Sequence, residues 1–115
     1  MNYLKAQVLE RLQSLGVEPK KSMGQNFLIA PHVIEKIIAI ADMEPSASIV
    51  EIGPGLGALT DELVKLKRPL LLLEWDRKFS EYWRERGERV IEGDALQFDW
   101  EKMDLARPVL LVSNL

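Results

Sequence analysis

The sequence predicts an α/β fold built on an open, mainly parallel sheet, and three observations carry that prediction. From residue 49 onward, short apolar runs that read as strands alternate with stretches of helical period, the pattern of right-handed βαβ crossovers. The first run, Ile49-Val50-Glu51-Ile52, leads directly into Gly53-Pro54-Gly55-Leu56-Gly57-Ala58, a glycine cluster between a strand and a helix. Ahead of it, two helical patterns flank a polar, breaker-rich stretch, which reads as an N-terminal helical extension.

Taken in order, Asn2 is an N-cap candidate, Leu4, Val8, Leu12 and Leu15 recur at helical spacing, and Gly16 is a stop. Residues 18–26, Glu18-Pro19-Lys20-Lys21-Ser22-Met23-Gly24-Gln25-Asn26, follow neither period and form an extended or looped segment. Pro31 suits the first turn of a second helix, where its missing N–H costs nothing. Val33, Ile34, Ile37, Ile38 and Ala41 give that helix an apolar stripe that should cover a sheet. Beyond Pro45, Ser46 and Ser48, the first strand is expected at 49–52, a helix at 59–66, a strand at 70–73, a helix at 78–86, and strands at 89–92 and 109–112. Two parts follow, residues 1–48 as a helical extension with a covering loop and residues 49–115 as the first half of a sheet domain, with the fourth strand left as an apolar edge.

Composition narrows the class. The chain has 115 residues, 47% of them hydrophobic and 29% charged, with 15 basic against 18 acidic side chains, as in one soluble domain. The absence of cysteine excludes disulfides, thiolate metal sites and a thiol nucleophile, and fits a reducing, cytoplasmic setting. No apolar run approaches the ~20 residues that span a bilayer, and no secretory leader is apparent. The net charge of −3 argues against a whole-surface nucleic-acid binder, so any basic face is local. Lys20 and Lys21, beside the polar loop, are the better candidates for phosphate contacts. Arg77, Lys78, Arg84, Arg86 and Arg89 are interleaved with Glu81, Glu85 and Glu88, as on a solvated helix face. His32 has no companion ligand and reads as a surface residue.

The glycine cluster carries the chemistry. Glycines after a strand let the backbone turn sharply and let a ligand lie against it, as in nucleotide sites. Gly53, Gly55 and Ala58 also satisfy a dinucleotide fingerprint, and Glu74 ends the next strand, where a ribose-binding acid belongs. Two cofactor classes stay open on these residues alone. Asp94, in Glu92-Gly93-Asp94-Ala95, is placed to accept a hydrogen bond from an exocyclic amine such as that of adenine, and Asn114 brings an amide to the same sheet edge. Each has the alternative role of a turn residue.

In order and spacing, Lys20-Lys21-Ser22-Met23-Gly24-Gln25-Asn26-Phe27-Leu28, Glu51-Ile52-Gly53-Pro54-Gly55-Leu56-Gly57, Glu74 with Asp76, Glu92-Gly93-Asp94-Ala95 and Ser113-Asn114-Leu115 resemble the ribosomal RNA adenine dimethyltransferases. Gly24 resembles the branch that modifies small-subunit 16S rRNA, whereas the erythromycin-resistance branch acting on large-subunit rRNA more usually has Ser there. The resemblance implies a Rossmann-like class I S-adenosylmethionine-dependent methyltransferase fold with its strands in the spatial order 3-2-1-4, dimethylation of N6 on adjacent adenines, and the pre-30S particle as partner. It further implies that Glu74 binds the ribose hydroxyls, Asp94 the adenine amine, Gly53 the methionine portion, and that Asn26 and Leu28 close the methionine end.

In that family an Asn-Leu-Pro-aromatic motif accepts the two amine hydrogens on the Asn side chain and a backbone carbonyl, and stacks the target base. Asn114 and Leu115 would supply the catalytic and cofactor contacts of its first half. The sequence given stops there, so the family pattern implies a fold truncated after the fourth strand, with weak cofactor binding and no turnover by this piece alone. Two smaller departures are Trp75, where an aliphatic residue is usual, and Ser113, where Gly is usual. Trp75 is read as core filler, with stacking near an adenine as the alternative. A nicotinamide-dependent oxidoreductase and a non-enzymatic rRNA-binding or ribosome-assembly module of the same fold are the rival readings. Edge-to-edge pairing of two chains is a further expectation for the exposed fourth strand.

Overall fold

The computed structural model describes residues 10–16 and 30–113. Four parallel strands form one sheet: β1 (Ser48–Ile52), β2 (Leu70–Glu74), β3 (Arg89–Glu92) and β4 (Val109–Ser113), in the order β3-β2-β1-β4. The expected order is therefore present, and each strand lies within one residue of its expected bounds. Residues 10–14 are helical and Gly16 closes that turn at φ +69°. Helices α1 (Pro31–Asp42), α2 (Thr60–Lys65) and α3 (Arg77–Glu85) complete the regular structure, with one 3₁₀ turn at Trp100–Lys102.

Laterally paired residues of a parallel sheet share a face, so the register sorts the side chains. Ile49, Leu70, Leu72, Val90, Leu110 and Val112 share one face. Upon it pack Ile34 and Ala41 of α1, Leu63 of α2, and Tyr82 and Trp83 of α3. Each fully buried Leu or Ile there contributes roughly 1.5–3 kcal/mol through removal from water. Pro31 sits in the first turn of α1 as its fixed φ allows. The apolar stripe of α1 is narrower than its sequence suggests, because Val33 is exposed while Ile34, Ile37, Ile38 and Ala41 face the sheet.

The opposite face carries Ser48, Val50, Leu71, Leu73 and Arg89 by the same register. A right-handed crossover from β3 at one edge to β4 at the other must pass over this face. The hydrogen bonds agree. The Arg89 guanidinium donates to the carbonyls of Met103 (2.9 Å) and Asp104 (3.2 Å), and the Ser48 hydroxyl donates to that of Ala106 (2.8 Å). An irregular connection thus stands where a helix would otherwise pack, and Val50 and Leu71 are fully buried. Among the described residues β4 is the outer strand on this side, with Leu111 exposed.

The amino-terminal end of the sheet is tied by one side chain. Arg68, just before β2, donates to the carbonyls of Ala41 (2.8 Å), Glu44 (2.7 Å) and Ala47 (3.0 and 2.8 Å). These carbonyls belong to the end of α1 and the turn into β1, where backbone acceptors lack helical partners. One guanidinium therefore closes a helix end and joins it to the sheet.

Candidate functional site

The carboxyl ends of the strands are the opposite case, since polar groups there face an open crevice at the point where the connections diverge to either side of β1. The glycine loop, residues 53–59, leaves β1 at that point. Gly53 sits at φ +70° and a side chain there would meet nothing within 4 Å, so the backbone lies open to an approaching group. Gly57 is required for a different reason. At φ +87°, a Cβ would overlap the Trp83 indole packed beneath it.

Several carbonyls in and beside the loop find donors within the fold. Trp83 Nε1 donates to the Gly55 carbonyl (2.8 Å), and the Arg11 guanidinium donates to the Leu56 carbonyl. The Gly57 N–H donates to the Pro54 carbonyl (2.9 Å), and the Ser113 hydroxyl to that of Ile52 (3.1 Å). Leu56 itself packs on Leu12 and Phe79. None of Arg11, Leu12 or Trp83 stands out as a site residue in the sequence, because each acts from a distant element.

Glu74 ends β2 almost fully buried and fixed at both oxygens. Oε1 accepts from the Gly55 N–H (2.9 Å) and Oε2 from the Asp76 N–H (2.9 Å). Each carboxylate oxygen has a second lone pair for a ligand hydroxyl. Asp76 in turn caps α3 by accepting from the Phe79 N–H (3.1 Å). The structure thus brings Gly53, Gly55 and Glu74 together as the spacing predicted.

Asp94 follows β3, and the Gly93 N–H donates to the Glu74 carbonyl (2.8 Å), which joins it to the same edge. Asp94 Oδ1 accepts from the Leu96 N–H (2.9 Å). It therefore does hold a turn, and among the described residues Oδ2 carries no hydrogen bond. Asn26, Leu28, Lys20, Lys21, Asn114 and Leu115 lie outside the described residues.

Trp75 requires a correction. It is 71% exposed and does not fill the core. The buried run of β2 ends at Glu74, and the next residue leaves the sheet with its ring at the rim, between two acids. Leu96, two residues past Asp94, is also exposed. Two large apolar side chains thus flank the edge where Glu74 and Asp94 stand.

Glu51 is a buried acid that the sequence reading passed over, although a carboxylate inside an apolar strand was a visible signal. Burial pushes its pKa up to about 8, the Thr60 hydroxyl bond (2.5 Å) opposes that, and the charges of Glu74 and Asp61 add to it. It therefore carries a proton at neutral pH. Asp61 is paired with Arg11 at 2.6 Å. The first turn of α2 holds Asp61 and Glu62, and the Arg11 guanidinium lies against it.

Among the described residues no group of three or more potential metal ligands occurs, and no helix is long and apolar enough to cross a membrane. Arg77 pairs with Glu81 at 3.3 Å across one turn of α3, and Arg86 lies over the Tyr82 ring at 4.4 Å.

Comparison with known proteins agrees with the geometry. The chain is 44% identical over its whole length to ribosomal RNA small subunit methyltransferase A of Bdellovibrio bacteriovorus, covering 42% of that protein. It is 40% identical to the protein of that name in Marinobacter nauticus, over 87% of this chain and 38% of the relative. It is also 39% identical to the probable one of Pyrococcus abyssi, over 77% of this chain and 35% of the relative. The chain thus spans about two fifths of the length of the curated relatives it matches. The family model described as ribosomal RNA adenine dimethylase matches residues 16–115, and the chain belongs to that family.

Proposed function

We propose that this chain forms the S-adenosylmethionine-binding part of an enzyme that dimethylates adenine N6 in small-subunit 16S rRNA, within a pre-30S particle in the cytoplasm. The observation that carries the cofactor assignment is the buried Glu74 carboxylate fixed against the glycine loop, in a chain of the adenine dimethylase family. S-adenosylmethionine supplies a methyl group on a positive sulfur, already electrophilic, so the protein has chiefly to bind and orient.

Glu74 accepts the ribose hydroxyls on its remaining lone pairs, and Asp94 Oδ2 accepts the adenine amine. Trp75, exposed between them, lies against the adenine ring. Gly53 admits the methionine portion to the backbone, with Asn26 and Leu28 closing over it. Asn114 and the carbonyl of Leu115 accept the hydrogens of the target amine, which localises the nitrogen lone pair. Lys20 and Lys21 meet RNA phosphate. Alone, the 115-residue chain binds cofactor weakly and does not turn over.

Titration of the chain with S-adenosylhomocysteine and, separately, NADH by calorimetry tests the assignment. Saturable binding of the first, weakened by both Glu74→Ala and Asp94→Ala and accompanied by quenching of Trp75 fluorescence, supports it. Tighter binding of NADH overturns it in favour of an oxidoreductase.

A further inference from the structure

Arg11 joins more parts of the site than any other side chain described. Its guanidinium donates to the Leu56 carbonyl in the glycine loop and pairs with Asp61 at 2.6 Å at the start of α2. It also lies 5.8 Å from the centroid of the Tyr82 ring and 5.6 Å from that of Trp83, both on α3. Its side chain is only 15% exposed. Its neighbour Leu12 is fully buried against Leu56 and Phe79. The helical stretch at 10–14 thus grips one loop residue twice, by its carbonyl and by its side chain.

A peptide unit is planar, so fixing a carbonyl fixes the N–H on its other side. Trp83 fixes the plane of the 55–56 peptide and Arg11 that of the 56–57 peptide. Together they set which way the loop presents its backbone to the crevice. Among the described residues Arg11 bonds to Leu56 and Asp61 and to neither Gly53 nor Glu74, so its effect passes through the loop.

We propose that Arg11 is a positioning residue for cofactor binding, coupling the docking of the N-terminal helical stretch to the geometry of the glycine loop. This rests on the cofactor assignment above. Coupling between binding events is reciprocal. A ligand in the loop therefore strengthens the docking of residues 10–14, and loss of Arg11 weakens the ligand. A single cationic point on lysine cannot span the Leu56 carbonyl and the Asp61 carboxylate as the planar fork does.

The test compares Arg11→Ala and Arg11→Lys with Arg68→Ala, which removes an equally well-bonded arginine at the far end of the sheet. The readouts are S-adenosylhomocysteine affinity, thermal stability, and amide hydrogen exchange with and without that ligand. We expect Arg11→Ala to weaken binding on the order of tenfold, Arg11→Lys to restore only part of it, and Arg68→Ala to stay within about twofold while lowering stability. In the ligand-free chain, Arg11→Ala should speed exchange at residues 55–57 and leave α3 unchanged. In the wild-type chain, ligand should slow exchange at residues 10–14. Equal loss of affinity in Arg11→Ala and Arg68→Ala, or none in either, overturns the proposal, as does unchanged exchange at 55–57. A wild-type chain that prefers NADH overturns the cofactor assignment instead, and the ligand-free exchange still decides whether Arg11 holds the loop.

Discussion

At each end of the sheet an arginine takes up backbone carbonyls, yet the two ends serve opposite purposes. Arg68 meets the carbonyls of Ala41, Glu44 and Ala47 and leaves that end satisfied. At the other end, Arg11 and Trp83 take the carbonyls of Leu56 and Gly55, while Gly53 has open space beside it and each Glu74 oxygen, bonded once to the backbone, keeps a lone pair in reserve. The same bond type closes one end and holds the other open. Binding capacity in this fold arises where inward-facing acceptors are satisfied from below, so that the outer surface of the loop is left for a ligand.

The sharpest way to break the contrast is Gly57→Ala. It combines a left-handed backbone with overlap on a buried indole, and each contributes about 1–3 kcal/mol. Thermal unfolding should show a loss of several kcal/mol together with loss of ligand binding. An unchanged melting temperature would show that Trp83 can move aside. Next is Arg68→Ala, expected to cost about 2 kcal/mol because charged donors are removed from three carbonyls. Urea unfolding measures it, and a cost under about 0.5 kcal/mol would mean water replaces the guanidinium.

Glu51 sharpens the comparison through pH. The folded chain keeps a proton there up to about pH 8, whereas the unfolded chain releases it near its ordinary value of 4.5. Stability from this group is therefore full below about 4.5 and falls as pH rises toward 8, by at most about 1.4 kcal/mol per pH unit. Glu51→Gln, which preserves an acceptor for Thr60, should flatten that slope in denaturant titrations at pH 5, 6.5 and 8. A slope identical to wild type would place the proton elsewhere. The smallest effect belongs to Trp75→Ala. The exposed ring should contribute within about 0.5 kcal/mol to stability while its removal weakens S-adenosylhomocysteine. The reverse outcome, lost stability with intact binding, would return it to the core.

Much of this was legible in the sequence because it depends on local pattern. The parallel sheet follows from alternating periods and right-handed crossovers, its strand order from the resemblance to the methyltransferase fold, and Gly53 and Glu74 were readable from strand-end positions. Trp75 was misjudged because an aromatic after an apolar run suggests burial, and nothing in sequence marks the residue at which β2 leaves the sheet. Arg11 and Trp83 were invisible for a related reason. Their partners, Leu56 and Gly55, lie 45 and 28 residues away along the chain and are reached through backbone carbonyls, which every residue possesses.

The pairing of β1 with β4 bears on how the domain is assembled in time. Their hydrogen-bonded ends are 61 residues apart in the chain, whereas β1, β2 and β3 are successive neighbours. Closing so long a loop has an entropic cost that local pairings avoid, so the nucleus should form among the first three strands. Val112→Ala should then accelerate unfolding more than it slows folding, and the opposite partition in stopped-flow chevrons would refute that order. During folding, β1 therefore waits as an unprotected inner strand, and the crevice gains its fourth wall in the last step.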